Sequence, residues 1–296
     1  MDILAYWRWD NYLRDLDRGA GFHFNSNQPR LHSAVEPGDR VWCVTGHHPP
    51  GEQIHYALAA KLTVATKTLN HPGYEYGRYR IWGDTSHSVY YGVSEQPDLA
   101  DLLQQLEFEP RSPISDRARI GQSLQTLRSL TARDSALLTA WASDLPLELR
   151  AYQVPDERDL EIAYATGYEA VARVVRETLL GVTSERRQFV AHTNYQRSRG
   201  HVSDLNRRYA GRCQRCAFSP RVVYGVSAAH AHHIVYLSRG GNDILDNLVL
   251  LCPNHHDVIH AAQAHFDFGS LEYVFPNRRR EPVVLNDPDH LQRSVA

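Results

Sequence analysis

The sequence predicts an α+β chain in three parts, and three observations carry that expectation. Residues 1–111 hold alternating apolar and aromatic runs broken by Gly and Pro turns, the period of β-strands. From Ile120 the apolar spacing changes to that of helices, so 112–195 reads as a helical connector. Within 196–296 lie three of the four cysteines and a dense group of histidines, which points to a metal-stabilised module.

Taken in order, "VEPGDRVWCVTG" is a turn at Pro37-Gly38-Asp39 followed by a strand with Val41 and Cys43 on one face and Trp42 and Val44 on the other. "HYALAAKLTVATKTL" continues in the same manner, and "GRYRIWGDTSHSVYYGV" adds two short aromatic strands broken at Gly83-Asp84. Cys43, alone in its apolar strand, is expected to be a buried small side chain. Leu124, Leu127, Leu130, Leu137, Leu138 and Trp141 follow a helical rhythm with a cap near Thr131 to Asp134. A second helix runs from Pro155 with acidic residues in its first turn, Arg173 and Arg176 near its end, and Gly181 to stop it. No internal repeat or low-complexity segment appears.

Length and composition bound the function. A chain of 296 residues implies about two domains, and 42% hydrophobic with 22% charged residues is the mix of an ordinary globular protein. There is no run of about 18 apolar residues, and the start "MDILAYWRWD" lacks the order of a signal peptide. The expected compartment is therefore the cytoplasm, with no membrane partner. A net charge of -2 argues against a polyanion partner, yet residues 181–260 carry ten Arg and no Lys against five Asp or Glu. Such a local excess is the footprint of phosphate contact, though solvated surfaces also show it.

Cys213-x2-Cys216 and Cys252-x2-His255 form two knuckles of the spacing that holds tetrahedral zinc. Three thiolates and one imidazole would close the shell, so the expected site is structural. Pro253 should open a helix. His256 and His260, four apart, then share one face of it, while His255 is turned about 100° toward Cys252. "AHAHHIV" reads as a strand in which His232 and His233 point to opposite sides and flank one phosphate, one on a metal and the other on a water. A histidine kept neutral near pH 7 suits the second role.

Cys-x2-Cys, then "HHI", "GG", "DNLVLLC" and "HHDVIH", resembles the HNH nuclease family over about residues 205–265. The resemblance implies a ββα-metal fold, with His233 as general base, His232 and His256 as ligands of a catalytic cation, and Asn247 holding the loop that orients the base. His260 is either a further ligand or a partner of the helix dipole. It implies two kinds of metal: structural Zn2+ and one divalent cation among Mg2+, Mn2+, Co2+ and Ni2+. Many relatives carry Asp at the place of His232, and imidazoles favour the transition metals. Arg207, Arg208, Arg212, Arg215 and Arg239 are candidate DNA-backbone contacts.

"EPGDRVWCVTG" after "FHFNSNQPRL", with aromatic strands following, resembles the PUA superfamily, which includes EVE, ASCH and SRA domains. That resemblance implies a β-barrel over 1–111 that reads a flipped, modified base. Trp7, Trp42, Tyr76, Trp82, Tyr90 and Tyr91 are candidates to stack on it, with Asn25, Asn27 and Asp84 to bond its edge; the same rings would equally serve as the β core. The expected protein is thus a modification-dependent DNA endonuclease acting on double-stranded DNA with modified cytosine, as a homodimer through the connector. The alternatives are an HNH nuclease nicking unmodified DNA and a non-catalytic zinc module that binds nucleic acid.

Overall fold

The structure, a computed structural model, describes residues 1–17, 22–48, 51–94, 96–152, 154–166, 168–178, 180, 199–239, 241, 243–287 and 289–291. The chain divides into two compact units. One comprises Met1–Leu16, Gly21–Lys67 and Tyr79–Tyr152; the other comprises Asp17–Ala20, Thr68–Arg78 and Gln153–Ala296.

In the first unit, Gly38 adopts φ +97, a left-handed conformation open to glycine, and turns the chain into a strand. The strands are β1 (Asp2–Tyr6), β2 (His23–Ser26), β3 (Arg40–His47), β4 (His55–Leu69), β5 (Tyr79–Gly83), β6 (Val89–Tyr90) and β7 (Arg128–Ser129). They hydrogen-bond in the order β2-β5-β4-β3-β1-β7, with β6 also on β4. Among the described residues this path does not close on itself, so the expected barrel is not found there. Alternation along β1 and β3 feeds two cores, one from each face. Ile3, Val41 and Cys43 enter one, and Leu4, Trp42 and Val44 enter the other. Cys43 is fully buried, as its strand pattern predicts.

Helices α1 (Trp9–Asp17), α2 (Arg30–Ser33), α3 (Ala100–Gln105), α4 (Ile120–Ser123) and α5 (Ala132–Ala142) accompany the sheet. The cap near Thr131 is present: the Thr131 side chain accepts from the Asp134 N–H, and Asp134 accepts in return from Thr131. The helix expected to run into it is broken, because Arg128 and Ser129 leave the helical path to pair with Leu4 and Ile3 on the edge of β1. Leu124, Leu127 and Leu130 are therefore core residues of this unit rather than a helix stripe. The stretch 112–195, expected as one connector, is divided between the two units.

The second unit contains α6 (Glu157–Thr166) and α7 (Tyr168–Thr178), then α8 (Arg199–Arg208) and α9 (Pro220–Tyr224). A hairpin of β8 (His230–His233) and β9 (Leu248–Leu251) follows, and then α10 (Pro253–Ala262). A three-stranded sheet closes the chain: β10 (His265–Asp267), β11 (Glu272–Val274) and β12 (Arg280–Pro282). Leu160 and Ala163 of α6 and Val171 and Val175 of α7 bury themselves together with Leu237, just beyond β8. That contact docks the α6–α7 pair on the hairpin. The expected stop at Gly181 and the boundary at 195/196 lie outside the described residues. Among the described residues, no helix is long and apolar enough to cross a membrane.

Candidate metal centres and active site

The two knuckles meet as their spacing suggests. Cys252 caps α10, Pro253 fills its first position, and His255 turns back within that first turn. Cys252 Sγ lies 3.2 Å from His255 Nδ1, Cys216 Sγ lies 3.9 Å from Cys252 Sγ, and Cys213 Sγ lies 3.8 Å from His255 Nδ1. The edge of a tetrahedron built on metal–sulfur bonds of about 2.3 Å is about 3.8 Å, so this Cys3His set has the spacing of a zinc shell. The donor chemistry agrees. Burial, together with the neighbouring Cys213 and Cys216, pushes the Cys252 thiol up to about 11, and a cation at the centre would act in the opposite direction. His255 Nε2 faces the Glu281 carboxylate at 3.9 Å, a partner that orients the ring.

Gln214, between the two cysteines, stitches this knuckle into the unit. It exchanges backbone bonds with Leu250 and Val284, while its side chain accepts from the Leu250 N–H and donates to the Val284 carbonyl. Four bonds from one residue tie β9 to the chain after β12.

One turn along α10, His256 and His260 face the hairpin. His232 Nδ1 lies 3.2 Å from His260 Nε2, which in turn lies 3.2 Å from His256 Nε2. Burial drives the His232 pKa down to about 3, with the neighbouring imidazoles adding to it against the pull of Glu161. A neutral ring with a lone pair is what a metal requires. His233 is likewise fully buried, and its Nε2 lies 3.0 Å from Asp243 Oδ1.

The loop between the strands is held by Asn247, whose Oδ1 accepts from the Val235 N–H at 2.8 Å while its Nδ2 donates to the Val235 carbonyl at 2.9 Å. Gly241, of the paired glycines, packs so closely that a Cβ there would fall 1.9 Å from the Val235 carbonyl oxygen. Only glycine fits.

Sequence reasoning missed a carboxylate at the centre. Glu161 of α6 places Oε2 2.7 Å from His256 Nε2 and 3.0 Å from His260 Nε2, and Oε1 3.2 Å from His233 Nδ1 and 3.6 Å from His232 Nδ1. Burial opposes its charge, but His232 and hydrogen bonds from His233, His256 and His260 hold it well below the usual carboxylate range. One turn earlier, Glu157 accepts from the Leu237 and Ser238 N–H groups. The available signal was the four-residue spacing of Glu157 and Glu161 on the face that carries Leu160. Those acids read instead as complements to the helix dipole. Asp243 was also missed.

These acids change the state of His233. Burial lowers its pKa, but hydrogen bonds to Asp243 and Glu161, and the charges of Glu161 and Glu157, outweigh that and raise it to about 9. In this arrangement a carboxylate faces each nitrogen of the His233 ring.

The candidate reader residues do not form one pocket. Trp7 and Tyr90 lie in one core and Trp42 and Tyr91 in the other, all nearly fully buried. Tyr76 belongs to the second unit, Asn27 is exposed, and Asp84 caps its own turn through Ser86 and His87. Trp7 and Tyr90 pack edge to face inside the core, and a cross-strand group is also brought together. Trp82 lies beside His23 and under the Arg80 guanidinium, and Arg80 donates to Asn25. Of the candidate backbone contacts, Arg208 pairs with Asp287, Arg215 with Glu281 and Arg207 with Asp204. Arg212 donates to the Ala217 carbonyl, and Arg239 donates to Gln263 and lies over Tyr236.

The sequence profile of the HNH endonuclease family matches residues 213–262, so the chain carries an HNH endonuclease domain there. No curated protein matches the chain. Among solved structures, one titled "Modification dependent TagI restriction endonuclease" is similar at 14% identity and a TM-score of 0.27, covering 86% of this chain and 58% of that one. Another, the type IV phosphorothioation-dependent restriction endonuclease ScoMcrA, is similar at 17% identity and a TM-score of 0.21, covering 80% of this chain and 41% of that one. The chain thus spans less than two thirds of either structure.

Proposed function

We propose that this chain is a DNA endonuclease that hydrolyses phosphodiester bonds at a single divalent cation in the second unit. The observation that supports this reading best is the convergence of His232, His256 and His260 nitrogens beside His233, inside the HNH domain. His232 and His256 would hold the cation, with His260 as a further donor. A bound cation neutralises charge gathering on the scissile phosphate and on the leaving 3′ oxygen. Asp243 takes the Nε2–H of His233 and so points Nδ1 into the site, the orientation a general base needs. With Glu161 withdrawn, one of the carboxylates that favour the Nδ1 proton is gone; once that proton leaves, the neutral ring would take one from water. Asn247 keeps the loop, and with it His233, in place.

We further propose that cleavage depends on modified cytosine, read by the first unit, and that two copies act together to cut both strands. The pairing of Trp82 with Arg80 and Asn25 is the part of that unit offering a ring, a cation and an amide side by side. A plasmid panel of unmodified, methylated, hydroxymethylated and glucosylated DNA, each with Mg2+, Mn2+, Co2+ and Ni2+, tests both statements. Cleavage lost in His256→Ala supports the nuclease site. Equal cutting of modified and unmodified DNA defeats the modification reading and leaves a nicking or general HNH nuclease.

A further inference from the structure

A cation held by protein groups alone has no place for a substrate oxygen, and catalytic sites keep one position open. Here the chain itself brings four donors together. Glu161 and the three histidines are all buried, and their donor atoms lie within 4.8 Å of one another. The separations 2.7, 3.0, 3.2 and 3.2 Å from Glu161 Oε2 and among the imidazole nitrogens approach the edge of a tetrahedron on bonds of about 2.0–2.1 Å, which is about 3.3–3.4 Å.

The second carboxylate oxygen adds to the argument. Oε1 faces His233 Nδ1 at 3.2 Å and accepts from the His233 N–H at 3.0 Å. One oxygen on the cation ligands and the other on the base is the arrangement a scissile phosphate would adopt. We infer that Glu161 is a displaceable fourth ligand of the nuclease cation, held in the position of the substrate phosphate by α6. Cleavage then requires ligand exchange: the carboxylate leaves, a phosphate oxygen enters, and no bond of the chain is made or broken. Glu157, bonded to the Leu237 and Ser238 N–H groups, and Leu160, buried against Leu237, fix α6 in the closed position. This inference rests on the cation site proposed above.

The test uses the full chain with its Cys3His site already filled with zinc, titrated with Co2+ and followed by the visible absorption of the bound ion. Glu161→Ala is expected to lower Co2+ affinity on the order of tenfold or more and, at saturating Co2+, to raise the cleavage rate on plasmid DNA. Glu161→Gln, which preserves the shape of the α6 contact, should change both in the same directions by less. An unchanged Co2+ affinity in both variants, with His256→Ala losing Co2+ binding, overturns the ligand while leaving the cation site intact. Weaker Co2+ binding with cleavage abolished at saturation overturns displacement, because Glu161 would then be needed for the chemistry. Co2+ binding unchanged in His256→Ala as well removes the cation site itself. Circular dichroism on each variant separates loss of ligand from loss of fold.

Discussion

Replacing Asn247 by Ala deletes a clamp made of two hydrogen bonds to one residue, Val235. Each is worth about 0.5–1.5 kcal/mol net, and both partners on Val235 are left unpaired in a half-buried loop. The second unit should lose about 2–3 kcal/mol of stability. The informative companion is Asn247→Asp, nearly identical in shape. An aspartate still accepts from the Val235 N–H, but it has no donor for the Val235 carbonyl, 2.9 Å away, and sets a charged oxygen against it. It should therefore be no more stable than the alanine variant. Because Ile234 donates to the Asn247 carbonyl, the strand next to His233 shifts with the loop, and a displacement of about 1 Å costs cleavage about 10²-fold. Urea unfolding of zinc-saturated protein gives the stability, and plasmid nicking gives the rate. Gly241→Ala, which drives a methyl group into the same carbonyl, should reproduce both losses. An Asn247→Asp protein with wild-type unfolding midpoint and rate would refute the clamp.

Three further outcomes are expected. Cys213→Ser should unfold the second unit rather than merely slow cleavage, since in small metal domains binding free energy is folding free energy; far-ultraviolet circular dichroism and zinc content, measured together, check it. In cleavage assays excess Mn2+ or Ni2+ should partly rescue His256→Ala and should not rescue His233→Ala, whose loss costs about 10² to 10⁴ in rate; the reverse pattern would mean that ligand and base are exchanged. In the first unit, Asp134 accepts from the N–H groups of Glu107, Phe108 and Thr131; burial opposes its charge, but these bonds hold its pKa below the ordinary value. Its contribution is full above the unfolded carboxylate range and is lost as pH falls through the depressed value, so thermal melts should show an acid-side loss that Asp134→Asn lacks.

The parts of the site that could be read from the chain are those made by neighbours in sequence. Cys252 at the cap and His255, His256 and His260 beyond it span little more than about two turns of one helix, so spacing alone assigns their faces. Glu161 reaches the same centre from 72 residues before His233 and 99 before His260, and no local pattern carries that distance. Its helix looks ordinary because an acid near a helix start is favourable anyway. The break at Arg128 and Ser129 was hidden for a similar reason: edge pairing to β1 is a tertiary event that overrides a helical apolar rhythm. The aromatic residues misled in a third way. Trp42 and Tyr91 are as suitable for a core as for a cage, and their chemistry does not distinguish the two.

His255 and His256 are adjacent residues that belong to different donor clusters. The phase of α10 is therefore locked at one end by the Cys3His set while the other end presents His256 and His260. One inserted residue would rotate everything beyond it by about 100°, so neither site tolerates a length change that the other does not share. On the proposed function, a lesion at Cys216 would reach the nuclease centre through the phase of α10.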